Sequence, residues 1–101
     1  MSEVTRGGIL VKQTYLVVAK TGIHTSAAKV LVESASRHEA DVFLVYRGKR
    51  VDAKSILGVM SLGIQPNASF ELVVKGANVE GAMRAIKEKL VSEHICTLYE
   101  I

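Results

Sequence analysis

The strongest constraint on this chain is that its apolar residues change period along the sequence, from strand spacing to helix spacing and back. Residues 10–19 read LVKQTYLVVA, a β-branched, apolar run that suits a buried strand. Lys20-Thr21-Gly22 breaks it. Ala27, Leu31 and Ala35 then fall at i, i+4 and i+8 with Ala28 and Val32 beside them, a helical stripe. DVFLVY at 41–46 is a second strand, Arg47-Gly48 a two-residue turn, and a short strand through Arg50-Val51 completes the hairpin. Residues 55–63 read as a short helix with Ser55 as N-cap and Gly63 just past its end. SFELVVK at 69–75 alternates Phe70, Leu72 and Val74 with Ser69, Glu71 and Lys75, so one face is buried. Asn78 is expected to cap a last helix, whose Val79, Ala82, Met83, Ile86 and Leu90 recur at helical spacing.

The order β-α-β-β-α-β-α, with half-apolar strands and single-striped helices, implies an α+β fold. The expected architecture is a two-layer open-faced sandwich: a mainly antiparallel four-stranded sheet with three helices on one face. The domain is placed at 10–93, between a polar flexible tail at 1–9 and a C-terminal extension at 94–101. The closing ICTLYEI does not continue the helical stripe, and suits an extra strand, a packed tail or a contact between copies.

Composition matters where it excludes chemistry. A chain of 101 residues holds one domain. No apolar run is long enough to span a membrane, and MSEVTRGGIL lacks the pattern of a secretory signal, so a cytoplasmic setting without membrane insertion is expected. The single cysteine, Cys96, allows neither an internal disulfide nor a multi-cysteine zinc site. His38 and His94 have no ligand set around them, and Gly7-Gly8 lacks the lysine of a phosphate loop, so no metal and no cofactor are expected. Thirteen basic residues against ten acidic give +3, with no Trp for base stacking; that is mild for a nucleic-acid binder, and no direct nucleic-acid partner is expected. The local excess at Arg47, Lys49, Arg50 and Lys54 reads as a solvated hairpin or as a patch facing an anion or partner.

Two segments offer chemistry. Thr21-Gly22-Ile23-His24-Thr25-Ser26 sets a histidine where a strand gives way to a helix, beside backbone N–H groups that can hold a phosphoryl group. On local pattern alone, His24 reads more simply as a cap-region residue beside the better caps Thr25 and Ser26. Lys54-Ser55 opens the short helix; the serine is either a simple N-cap or a site that would accept a phosphate dianion there. Ile56, Leu57 and Met60 follow as an apolar ridge that belongs to the core or faces a partner.

Taken together and in this order, TGIHTSAAKVLVESASRHEADVFLVYRGKRVDAKSILGVMSLGI and FELVVKGANVEGAMRAIKEKL resemble the histidine-containing phosphocarrier (HPr) family of the bacterial phosphotransferase system. The resemblance implies a phosphocarrier or regulatory protein rather than a turnover enzyme, serving sugar transport and catabolite regulation. It implies His24 as phosphoryl acceptor, Ser55 as a serine modified by an ATP-dependent kinase, and Ile56, Leu57 and Met60 as the docking ridge. The implied partners are the loading enzyme, a sugar-specific transporter component, the serine kinase and a transcriptional regulator.

The departure from the family is local. Its pattern Gly-Leu/Ile-His-Ala-Arg-Pro-Ala stands here as Gly22-Ile23-His24-Thr25-Ser26-Ala27-Ala28, so Ser26 replaces the arginine that partners the phosphoryl group. Thr25 and Ser26 remain as phosphoryl-stabilising donors, with Lys20 or Lys29 as nearby cations. Three roles follow: a carrier through His24, a regulatory paralogue acting through phosphorylated Ser55, or an unphosphorylated interaction module of the same fold that assembles through the C-terminal tail.

Overall fold

The strand-like run of the N-terminal segment becomes the seam of the sheet. A computed structural model describes residues 2–5 and 8–99. The first strand, β1, spans Ser2–Thr5, and β2 spans Gly8–Val17. Helix α1 covers Thr25–Ser36, followed by β3 (Asp41–Tyr46) and β4 (Lys49–Asp52). Helix α2 covers Ile56–Ser61, β5 Ser69–Gly76, α3 Val79–Ser92 and β6 Cys96–Leu98. The strands pair in the order β1-β2-β5-β3-β4, with β6 also on β2, and each of these pairings is antiparallel.

The four strands expected from the sequence lie side by side as β2-β5-β3-β4, with β4 at one edge, and the count of four is corrected to six. Both added strands lie on the edge of β2 away from β5. β1 pairs with 8–11, and β6 with 15–17. Short polar strands such as SEVT carry little apolar periodicity, so their pairing comes from an available edge rather than from a pattern of their own. The expected tail at 1–9 is therefore strand at 2–5 and 8–9, while Met1, Arg6 and Gly7 lie outside the described residues. Of the alternatives for 94–101, Cys96–Leu98 takes the extra strand, and residues 100–101 lie outside the described residues.

Alternation fixes which face is covered. Val11, Tyr15 and Val17 of β2, Val42, Leu44 and Tyr46 of β3, and Phe70, Leu72 and Val74 of β5 are buried. They form one core with Ala28, Leu31 and Ala35 of α1 and Val79, Ala82, Met83, Ile86 and Leu90 of α3. Tyr15 lies at its centre, fully buried and stacked on Phe70 at 5.7 Å; its hydroxyl donates to Gln13 Oε1 at 2.9 Å, with Met83 Sδ at 3.3 Å. Val73, on the open face, is buried as well. It pairs across to Phe43, whose ring is covered by the Arg50 guanidinium at 3.8 Å.

The turns match their residues, with one correction. Arg47 and Gly48 both have positive φ, the pair of left-handed residues that a tight β3–β4 hairpin requires. Asn78 does occupy the position before α3, but with φ 52° and ψ 44° and no side-chain capping bond. Its amide lies over Gly81 instead, where a Cβ would come within 2.8 Å of it. A left-handed backbone turns the side chain away from the N2 and N3 N–H groups that an extended N-cap reaches.

Candidate functional site

His24 is placed by a glycine. Gly22 has φ +75°, and a Cβ on it would collide with the Ile64 carbonyl oxygen. That close approach lets Ile23 N–H donate to Ile64 O at 3.0 Å, while Gly22 N–H donates to Ala19 O at 3.0 Å. Ile23 and Ile64 are both fully buried, so the loop is pinned by packing as well as by hydrogen bonds. The chain then enters α1 with His24 as N-cap in extended geometry, φ −107°.

The side chains at this helix start are not engaged in capping. His24 makes no side-chain capping bond, and His24, Thr25 and Ser26 are all exposed. The first intrahelical bond runs from Ala28 N–H to His24 O at 2.6 Å. The N–H groups of Thr25, Ser26 and Ala27 precede it, and among the described residues they have no protein acceptor. An exposed imidazole thus stands at a helix start beside backbone donors without a protein acceptor and two hydroxyls, an arrangement suited to an oxyanion.

Ser55 is arranged differently. It is half-buried, and its Oγ accepts the Gly58 N–H at 3.1 Å, so the hydroxyl is the working cap of α2. A Cβ at Gly58 would approach Ser55 Oγ to 3.3 Å, so this turn is closely packed against the hydroxyl. The ridge is divided between core and solvent. Leu57 is 77% exposed and Ile56 38%, Met60 packs partly against the core, and Val59 is the fully buried anchor of the helix. Helix α2 packs on α1, and the Ile23–Ile64 bond ties the segment after α2 to the His24 loop.

Three of the four cations at the basic hairpin are engaged with the fold. The Arg47 guanidinium sits over Tyr46 at 5.2 Å, Arg50 covers Phe43, and Lys54 Nζ donates to His38 O at 2.7 Å just beyond the end of α1. Only Lys49 of the four stands without such a contact among the described residues. Cys96 is 2% exposed, and burial pushes its thiol up to about 12. Among the described residues no three His, Cys, Asp or Glu side chains cluster as metal ligands, and no helix is long and apolar enough to cross a membrane.

Residues 93–95 also belong to this neighbourhood, and sequence reasoning did not find them. Ile95 O accepts N–H bonds from Val18 at 2.9 Å and Ala19 at 3.1 Å. The turn after α3 is thereby bound to the strand end that leads to His24. No local pattern signals this contact, because it depends on the pairing of β6 with β2.

Comparison with known proteins finds the same fold and a family. Residues 11–92 match the family model for the PTS HPr component phosphorylation site. The histidine-containing phosphocarrier protein of a mycoplasma superposes with a TM-score of 0.80 at 25% identity, over 84% of this chain and 97% of its own. The phosphocarrier protein HPr of Bacillus anthracis gives 0.74 at 34% identity, over 79% and 95%. Crh, the catabolite-repression protein of Bacillus subtilis, gives 0.64 at 36% identity, over 75% and 86%. A fold of this topology, a family match across most of the domain and an exposed histidine at the start of α1 lead to one assignment: the chain belongs to the HPr phosphocarrier family.

Proposed function

We propose that this protein accepts a phosphoryl group on His24 from the loading enzyme of the phosphotransferase system and passes it to a sugar-specific component. The observation that carries this reading is the exposed His24 side chain, uncommitted to capping, beside three helix-start N–H groups that have no acceptor among the described residues. Thr25 and Ser26 hydroxyls complete the set of donors. Transfer needs no resident cofactor: the His24 ring attacks the phosphorus of the partner's phosphohistidine, and the old P–N bond's electron pair returns to the partner's ring. Ile56 and Leu57, exposed on α2, supply the apolar contact for docking, with Met60 at its inner edge. The setting is cytoplasmic, as for the family.

Ser55 is the second modification site in this reading. A phosphate there gives up the hydroxyl cap to Gly58 but places a dianion at a helix start, and it changes the sign of the surface beside Ile56 and Leu57. A serine kinase would write that mark and a transcriptional regulator would read it.

Two observations favour a different emphasis. Ser26 and Ala27 replace the family's arginine and proline, and the chain shares 36% identity with Crh. In that regulatory reading Ser55 carries the function and His24 transfers slowly. Incubation with loading enzyme and phosphoenolpyruvate, with His24→Ala as control, decides between them. The carrier reading predicts stoichiometric label that the variant lacks, and equal labelling of both would reject it. The kinase reaction on Ser55→Ala makes the parallel test, where undiminished label removes Ser55. Assembly through the C-terminal segment is tested by deleting residues 95–101: a monomer supports that segment as the contact, and an unchanged oligomer removes it.

A further inference from the structure

Toward the end of α1 away from His24, the seam between α1 and α3 opens into a groove of about 340 Å³. That is at the low end of the roughly 300–1,000 Å³ that small-ligand pockets occupy. Val30, Glu33 and Ser34 of α1 and its C-cap Arg37, spaced three and four apart, line one side, and Ala85 and Lys89 of α3 the other. The chain is fixed where it leaves α1. His38 also lines the groove; its N–H donates to Ala35 O at 3.2 Å, and its carbonyl accepts from Lys54 Nζ at 2.7 Å.

Ser34 is the residue whose chemistry the fold leaves unused. It is only 8% exposed, yet its hydroxyl makes no hydrogen bond among the described residues. A serine inside a helix ordinarily points to water or bonds back to the carbonyl one turn earlier. This one does neither, and it lines the groove. Glu33 and Arg37 are exposed and stand at i, i+4, the spacing of an ion pair, but neither forms one among the described residues. Lys89, by contrast, is taken up by Glu93 at 3.4 Å. The groove thus presents one unpaired charge of each sign, a hydroxyl without a partner, and apolar surface from Val30 and Ala85.

We propose that this groove binds a small zwitterion, a free α-amino acid with a short apolar side chain. Arg37 takes the carboxylate and the Ser34 hydroxyl donates to it, while Glu33 takes the ammonium and the side chain lies against Val30 and Ala85. A simple anion satisfies Arg37 and Ser34 but is opposed by Glu33. The binding is non-covalent and does not depend on phosphate at His24 or Ser55.

The test titrates the full chain with L-valine and follows the backbone amide NMR signals. Saturating shifts centred on residues 30–38 and 82–89 are expected, with a midpoint in the millimolar range or below, the scale for a ligand this small. Isovalerate lacks the ammonium and isobutylamine lacks the carboxylate; each of them, and inorganic phosphate, binds about tenfold or more weakly. Ser34→Ala raises the valine midpoint about tenfold, while its thermal midpoint is no lower, because an unpartnered hydroxyl leaves a helix. Arg37→Gln, on the surface, raises the valine midpoint as much, and Glu33→Gln erases the preference for valine over isovalerate. No saturation by about 50 mM valine overturns the inference, and so does an unchanged midpoint in Ser34→Ala. Isovalerate or phosphate binding as tightly as valine marks a plain anion site and overturns it equally.

Discussion

Gly22→Ala tests whether the His24 loop is held by the contact described. The substitution acts in two ways. An L-residue at φ +75° pays about 1–2 kcal/mol for left-handed geometry. The added Cβ also collides with Ile64 O, and relieving that collision breaks the 3.0 Å bond from Ile23 N–H, worth about 1 kcal/mol net. The expected loss is about 2–3 kcal/mol, or about 10–15 °C in thermal midpoint for a domain of this size. Gly48→Ala is the matched control. Its φ is +79° and nothing lies within 4 Å of the added Cβ, so it pays only the first cost. Urea unfolding of both variants at 25 °C gives the comparison. At a temperature where both remain folded, Gly22→Ala also takes up phosphate more slowly, because displacement of Ile23 moves His24. If Gly22→Ala loses no more stability than Gly48→Ala, the collision is absent and the loop is not pinned as described.

The remaining predictions concern α2 and the core. Ser55→Ala removes the bond to Gly58 N–H and costs about 1 kcal/mol in urea unfolding, whereas Ser55→Asp keeps an acceptor at the cap and stays within a few tenths of the unmutated protein. Leu57→Ala changes stability by less than about 0.5 kcal/mol because the side chain is 77% exposed, yet raises the KM for the loading enzyme about fivefold or more; an unchanged KM removes Leu57 from the docking surface. Burial raises the Cys96 thiol from 9.0 to about 12, so the folded state favours the protonated form. That contribution is complete below about pH 9 and is lost as pH climbs toward 12, by at most about 4 kcal/mol. Tyr15 shifts upward by burial with the same sign, so Cys96→Ala makes the alkaline decline in thermal midpoint shallower without abolishing it.

What was legible in the sequence follows from what carries a period. DVFLVY and SFELVVK alternate, so β3 and the core-facing side of β5 could be read residue by residue, and the stripe from Val79 to Leu90 marked α3. Ser55 announced its cap because a serine before an apolar run at a helix start has few other uses. The extra strands could not be read in the same way. β1 is polar, and three residues of β6 are too few to show a period; both exist because β2 offers an edge. Asn78 takes the N-cap position that its type suggests, and what residue type does not reveal is the left-handed backbone there, which goes with the absence of a side-chain capping bond. At the site, His24 and its neighbours were visible as a local string. The Ile64 contact that holds them and the Ile95 bonds to the strand end before them come from residues dozens of positions away, which only the folded topology brings near.

The central claim is that His24 carries phosphate, and the intact mass of the protein from growing cells tests it most directly. Phosphohistidine is lost in brief mild acid and phosphoserine is not. The account predicts a one-phosphate species that mild acid removes and that His24→Ala does not form. A phosphate that survives acid, or one that His24→Ala forms equally well, contradicts it.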